Sequence, residues 1–160
     1  MRRLATASML LVLVSFQTVF AADYPQGPEP QLTPGMLCAQ PNSRRYPEKI
    51  AYCERNVAVS TKEEIIAQYD KQFGYKIERL PRGDFKIDHY IPLCMGGDND
   101  ISNLWPQHMS VYEITDPLEA LLCEKMSEGR LSQKDAITLM KQAKSNLDST
   151  PAITRKVQAL

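Results

Sequence analysis

Phe85-Lys86-Ile87-Asp88-His89-Tyr90-Ile91-Pro92-Leu93, followed by Gly96-Gly97-Asp98-Asn99-Asp100 and Ile101-Ser102-Asn103-Leu104-Trp105-Pro106-Gln107-His108, is the stretch that decides the fold. The first part, from Phe85 to Ile91, alternates large apolar with polar side chains, as a strand with one buried face does. Pro92 lacks the N–H that would extend a ladder. The Gly96 to Asp100 segment reads as a turn or loop, and Ile101 to Trp105 as a second short strand returning antiparallel to the first.

Outward from this hairpin the pattern changes to helical spacing. Upstream, Ser60-Thr61-Lys62-Glu63 has the form of a capping box, with Ile65, Ile66, Tyr69 and Phe73 behind it and Gly74 as a stop. Downstream, Asp116-Pro117-Leu118-Glu119 reads as a helix start: an N-cap, proline at the first helical position, then an acid. Leu118, Leu121, Leu122 and Met126 supply its apolar stripe, and Gly129 its end. Ser132 opens a last helix running to about Lys144. The tail, 146–160, carries no convincing stripe. Helix, hairpin, helix, helix in a chain of 160 residues predicts one small α+β domain.

The N-terminus predicts export. Met1-Arg2-Arg3 precedes an apolar run from Leu4 to Val14, and Val19-Phe20-Ala21 offers small residues at the two positions a signal peptidase reads. The run is short for a membrane span, so residues 1–21 read as a signal peptide and the mature chain starts at Ala22. Residues 22–36 are proline-rich and read as an extended arm. The domain is expected over 37–145 with its core at 83–129. Four cysteines in an exported chain favour two disulfides over a zinc site, for no Cys-x-x-Cys pair is present. Sequence alone leaves three connectivities open. Cys38–Cys53 and Cys94–Cys123 is the expected pairing, because each pair flanks a short, closable unit.

Charge speaks against a nucleic-acid partner. The chain has 19 basic and 19 acidic side chains, and loss of Arg2 and Arg3 leaves a net charge of −2. Phosphate binding usually shows a basic surplus, though a bound cation or a local patch can supply the field. Arg44, Arg45, Lys49 and Arg55 are such a patch, or a solvated face.

Asp88-His89-x-x-Pro92-Leu93, the Gly96-Gly97 pair and Asn103-Leu104 together resemble the His-Asn-His (HNH) nucleases, a family with a ββα-metal fold. The resemblance is sharp over residues 85–107, weaker to Gly129 and absent before Gly83. It implies phosphodiester hydrolysis of DNA, with RNA as a second substrate, assisted by a divalent metal of the magnesium kind. His89 would be the general base and Asp88 a metal ligand, while Asn103 would hold the His89 ring from across the hairpin. The residue types suit that chemistry, because imidazole titrates near neutral pH and a hard cation takes carboxylate oxygen. A geometric tension remains, because adjacent strand residues point to opposite faces.

The family's third metal ligand, a His or Asn, lies about nine residues past the hairpin asparagine, and here that count reaches Tyr112, a poor magnesium ligand. His108 can take its place, contact phosphate, or stand exposed. Secreted, sugar-nonspecific relatives show Asn-x-x-Pro-Gln and a later Leu-Glu pair, matched here by Asn103 to Gln107 and by Leu118-Glu119. In them the glutamate supports the metal through water, yet Glu119 equally suits the first turn of a capped helix. Two other readings stay open: the same fold without catalysis, binding nucleic acid or a protein partner, and an exported disulfide-stabilised structural protein. No membrane contact is expected after cleavage, and sequence is silent on oligomeric state.

Overall fold

The computed structural model describes residues 22–160, so the expected signal peptide lies outside the described residues. Two short strands, β1 (Ser43–Arg45) and β2 (Ile50–Tyr52), form a first antiparallel hairpin. Helix α1 (Val59–Phe73) follows, then the hairpin of β3 (Phe85–His89) and β4 (Leu104–His108). Helices α2 (Met109–Ser127), α3 (Gln133–Ser145) and α4 (Thr150–Gln158) complete an α+β domain. None of the described helices is long and apolar enough to cross a membrane.

The core divides between the two faces of the β3–β4 hairpin. One cluster joins Ile65, Ile66 and Tyr69 of α1 to Phe85, Ile87, Leu104 and Val111. The other joins Leu118, Leu122 and Met126 of α2 to Met140, Ala143, Ile153 and Val157, with Ile91 and Met95 from the loop after β3. The stripe expected on α2 is thus where it packs. The tail expectation needs correction: residues 150–158 are helical, and Ile153 and Val157, four apart on one face, bury against the second cluster. A stripe of two is too short to read as a period.

Three element starts also differ from expectation. The residue preceding α1 is Ala58, with no side-chain cap, so Ser60 lies inside the first turn and closes no capping box. Residues 101–103 form a 3₁₀ turn, capped by the Asp100 carboxylate on Ser102 N, which delays the return strand to Leu104. Pro106 then sits in the ladder opposite Ile87, tolerable because β4 pairs on one side only. Helix α2 begins seven residues before Asp116, with His108 as its N-cap. Pro117 is therefore interior, where it removes one helical hydrogen bond. The Ser132 cap and the Gly74 stop, with φ 75°, lie where the sequence places them.

Both disulfides pair as expected, Cys38–Cys53 and Cys94–Cys123. The first ties the start of the domain to the end of β2. The second ties the loop after β3 to α2. The proline-rich segment lies on the domain: Thr33 is buried, its hydroxyl 2.7 Å from the Tyr69 hydroxyl and donating to Leu104 O at 3.0 Å.

Candidate functional site

The loop joining β3 to β4 is folded back tightly around Asn103. The Asn103 amide accepts from Ile91 N at 2.9 Å and donates to Ile91 O at 3.0 Å and Asp98 O at 2.8 Å. Gly97 makes that closure possible, since a Cβ there would lie 1.8 Å from Ile91 O. Gly96 supplies the left-handed turn before it, with φ 84°. Asn103 therefore braces backbone and makes no hydrogen bond to the His89 ring, a correction to the expected role. The glycine pair and the asparagine serve one purpose, which is to hold the chain immediately after His89.

The ladder runs unbroken to His89, paired with Leu104, so Asp88 and His89 keep strand alternation and face opposite ways. The His89 ring lies with Arg55 and Asn99. Arg55 Nη1 stands 3.3 Å from His89 Nδ1, and Arg55 Nη2 donates to Ile87 O at 2.7 Å. On the other side His89 Nε2 is 3.1 Å from Asn99 Oδ1. The orientation of that amide is determined twice: Asn99 Nδ2 donates to Glu54 O at 2.7 Å, and Oδ1 accepts from Asn56 N at 3.2 Å.

The tautomer follows from this inventory. Guanidinium has only donors, so Nδ1 must present its lone pair to Arg55, and Nε2 must carry the proton given to Asn99. The ring is neutral. Burial pushes its pKa down to about 4, with the Arg55 charge acting the same way and the Asn99 bond opposing. Such an imidazole is a proton acceptor at neutral pH, oriented by a third group. Arg55 itself is exposed, so the side chain over Nδ1 is free to meet an anion from solvent.

On the other face Asp88 is buried among carboxylates and ammonium groups. Among the described residues, Asp88, Asp116 and Glu119 each bring a carboxylate oxygen within 4.8 Å of the others. Lys144, with its side chain fully buried, donates to Asp88 Oδ2 at 2.9 Å, His89 O at 2.7 Å and Glu119 Oε2 at 3.2 Å. Lys86 donates to both Asp116 oxygens, at 2.8 and 2.7 Å. Burial alone would raise Asp88, but Lys144 and Lys86 outweigh it and hold that carboxyl below its ordinary value. Burial also works against the Lys144 charge, and Asp88 and Glu119 overcome it, raising that pKa. Glu119 goes the other way: burial raises it and the Asp88 charge adds to the rise.

The sequence assigned Asp88, His108 and Glu119 to a metal. Asp88 and Glu119 do meet, and Asp116, read as an N-cap, joins them. His108 does not: its Nδ1 accepts from Ser110 N at 3.2 Å to cap α2, and its ring stacks on Tyr24 at 3.9 Å between centroids. The oxygen donors are of the kind magnesium takes, but an ammonium already bridges two of them. The centre in this form does not fit a divalent ion. A second acid cluster, Asp98 beside Cys38 and Cys53, has its sulfurs joined in a disulfide and offers no thiolate.

Four residues of these two networks went unassigned in the sequence, Lys86 among them as an ordinary strand position. Arg55 was visible only as one charge in a basic run, and Asn99 only as a turn residue. Lys144 carried a readable signal, since it continues the buried positions Ala136, Met140 and Ala143 of α3 and so falls on an apolar stripe. A lysine there needs a buried acid.

Comparison with protein-family models, curated proteins and solved structures finds no match for this chain.

Proposed function

We propose that this chain is an exported endonuclease that hydrolyses phosphodiester bonds in DNA, with RNA as a second substrate, and that His89 is its general base. One observation carries the reading: the buried, neutral His89 presents its Nδ1 lone pair to a single exposed guanidinium while Asn99 holds the opposite nitrogen. A packed core gains little from such a pair, because a guanidinium lowers the basicity of the ring it faces. Phosphoryl transfer uses both parts. The scissile phosphate draws the Arg55 guanidinium onto its non-bridging oxygens and uncovers Nδ1. His89 takes a proton from water as that oxygen bonds phosphorus. The bond to the 3′ oxygen breaks, and the leaving oxygen takes a proton from solvent. Arg55 meets the charge that accumulates on the phosphoryl oxygens. The hairpin followed directly by α2, the Asp88-His89 pair and Asn103 at the loop closure support the same reading, as do two disulfides for an extracytoplasmic site of action.

A nicking assay on supercoiled plasmid, with RNA in parallel, tests it. His89→Ala is expected to lower the rate by about 10²–10⁴-fold while melting as a folded protein. Because the base is already neutral, the acid limb of the rate profile should fall near pH 4 instead of near 6.5. A folded His89→Ala chain that cuts at the parental rate defeats the proposal.

A second reading is a module of this fold that binds nucleic acid or a protein without cutting. It is favoured by Lys144 lying among the carboxylates that the resemblance assigned to metal. A gel shift in chelator with no nicking under any condition selects it.

A further inference from the structure

We infer that the Lys144 ammonium is the resident cation of the Asp88–Glu119 centre, and that this centre accepts a divalent ion only once that ammonium is removed. Occupancy of the centre is a separate matter from hydrolysis, and it holds whether or not the chain cuts phosphodiesters.

An ammonium has three N–H donors, and Lys144 has three acceptors, one from each of Asp88, Glu119 and the His89 carbonyl. The set is complete, with none of the side chain open to solvent. The acceptors come from β3 and α2, while Lys144 comes from the last turn of α3, so three elements converge on one charge. The end of α3 has no slack in the other direction. Gly27 packs against it so closely that a Cβ there would lie 2.8 Å from Lys144 O. Withdrawal of the lysine would leave the His89 carbonyl and two carboxylates without their donor.

Those constraints bear directly on metal. Magnesium bound to Asp88 Oδ2 sits at about 2.1 Å from it. With Nζ 2.9 Å from the same oxygen, the two cations would be no more than about 5 Å apart around a side chain that is closed to solvent. The neighbouring cation adds to this, for Lys86 lies 3.9 Å from Asp88 Oδ1 while bonded to Asp116. A protein cation, supplied by the third helix, fills the place that a free ion would take.

Manganese titration of the full disulfide-bonded chain, followed by electron paramagnetic resonance, is the first arm of the test. The free-ion signal should stand undiminished at millimolar protein. MgCl₂ or MnCl₂ should move the melting temperature no more than KCl of equal ionic strength does. The second arm is Lys144→Ala, expected to melt roughly 10 °C lower. Millimolar MnCl₂ should restore half or more of that loss, and adding Asp88→Asn should abolish the restoration. Folding of Lys144→Ala only when MnCl₂ is present counts for the inference equally. If the variant folds in neither medium, the wild-type titration decides alone. Manganese binding by the wild type that disappears in Asp88→Asn overturns the inference. So does a folded Lys144→Ala chain that gains nothing from either ion. Plasmid nicking bears on the hydrolytic proposal alone, so the two can fail separately.

Discussion

Strand β3 ends in two ionisable residues that meet opposite solutions to burial. On the Asp88 face the charge is kept: an ammonium from α3 completes a network with Asp88 and Glu119, sealed from solvent at its centre. On the His89 face the charge is given up: the ring is neutral, and the cation that faces its Nδ1, Arg55, is exposed and tethered to the Ile87 carbonyl. A buried ion pair with all its partners is rigid and hard to enter, because removing either member strands the other. A neutral base beneath a solvated guanidinium is the reverse. Adjacent positions in one strand thus divide into a structural face and a face where chemistry can occur.

The largest difference between the faces should appear on removing each cation. Lys144→Met leaves buried Asp88 with only Lys86, 3.9 Å from its Oδ1 and already bonded to Asp116, as a counter-charge and is expected to cost about 3–5 kcal/mol. Arg55→Met removes an exposed group and uncovers a neutral ring, so its cost should stay near 1 kcal/mol. Urea denaturation of both variants measures this, and equal losses would erase the distinction.

Acid should separate the faces next. His89 has its folded pKa lowered from 6.5 to about 4, so the unfolded chain binds the extra proton between those values. Its contribution is whole above pH 6.5 and is lost as pH falls through the folded value. That loss is about 3 kcal/mol between pH 6.5 and 4. Asp88 has its folded pKa lowered from 3.8, so its contribution is intact above 3.8 and is lost only below it. Stability measured from pH 7 to 3 should therefore fall in two stages, offset in part where Glu119, whose folded pKa is raised above 4.5, takes up its proton. His89→Gln should flatten the first stage and spare the second.

The smallest expected effect isolates one hydrogen bond. Asn99→Ala removes the acceptor from His89 Nε2 and should cost about 1 kcal/mol. It should leave the Asp88 face untouched, with manganese exclusion unchanged. Loss of that exclusion in Asn99→Ala would mean the two faces act as one network.

Much of this architecture was legible before any coordinates. Alternation from Phe85 to Ile91, the glycine pair and the Ser132 cap are local or nearly local signals, whereas the disulfide pairing is one of three connectivities the sequence left open. The local signals reflect steric limits on φ and ψ and the reach of short loops, which a sequence carries directly. Helix starts were less legible, because Asp116-Pro117 has the form of a start and His108 does not have the form of a common cap. The networks were least legible. Lys144 lies 56 residues from Asp88, and Arg55 lies 34 from His89. Nothing local pairs either couple. The sequence by itself determined which residue types stand at the end of β3 and that strand geometry turns them to opposite faces. Tertiary packing alone decided what each face meets, because a charge partner is chosen by which helix end or loop arrives in space, and that depends on the whole core.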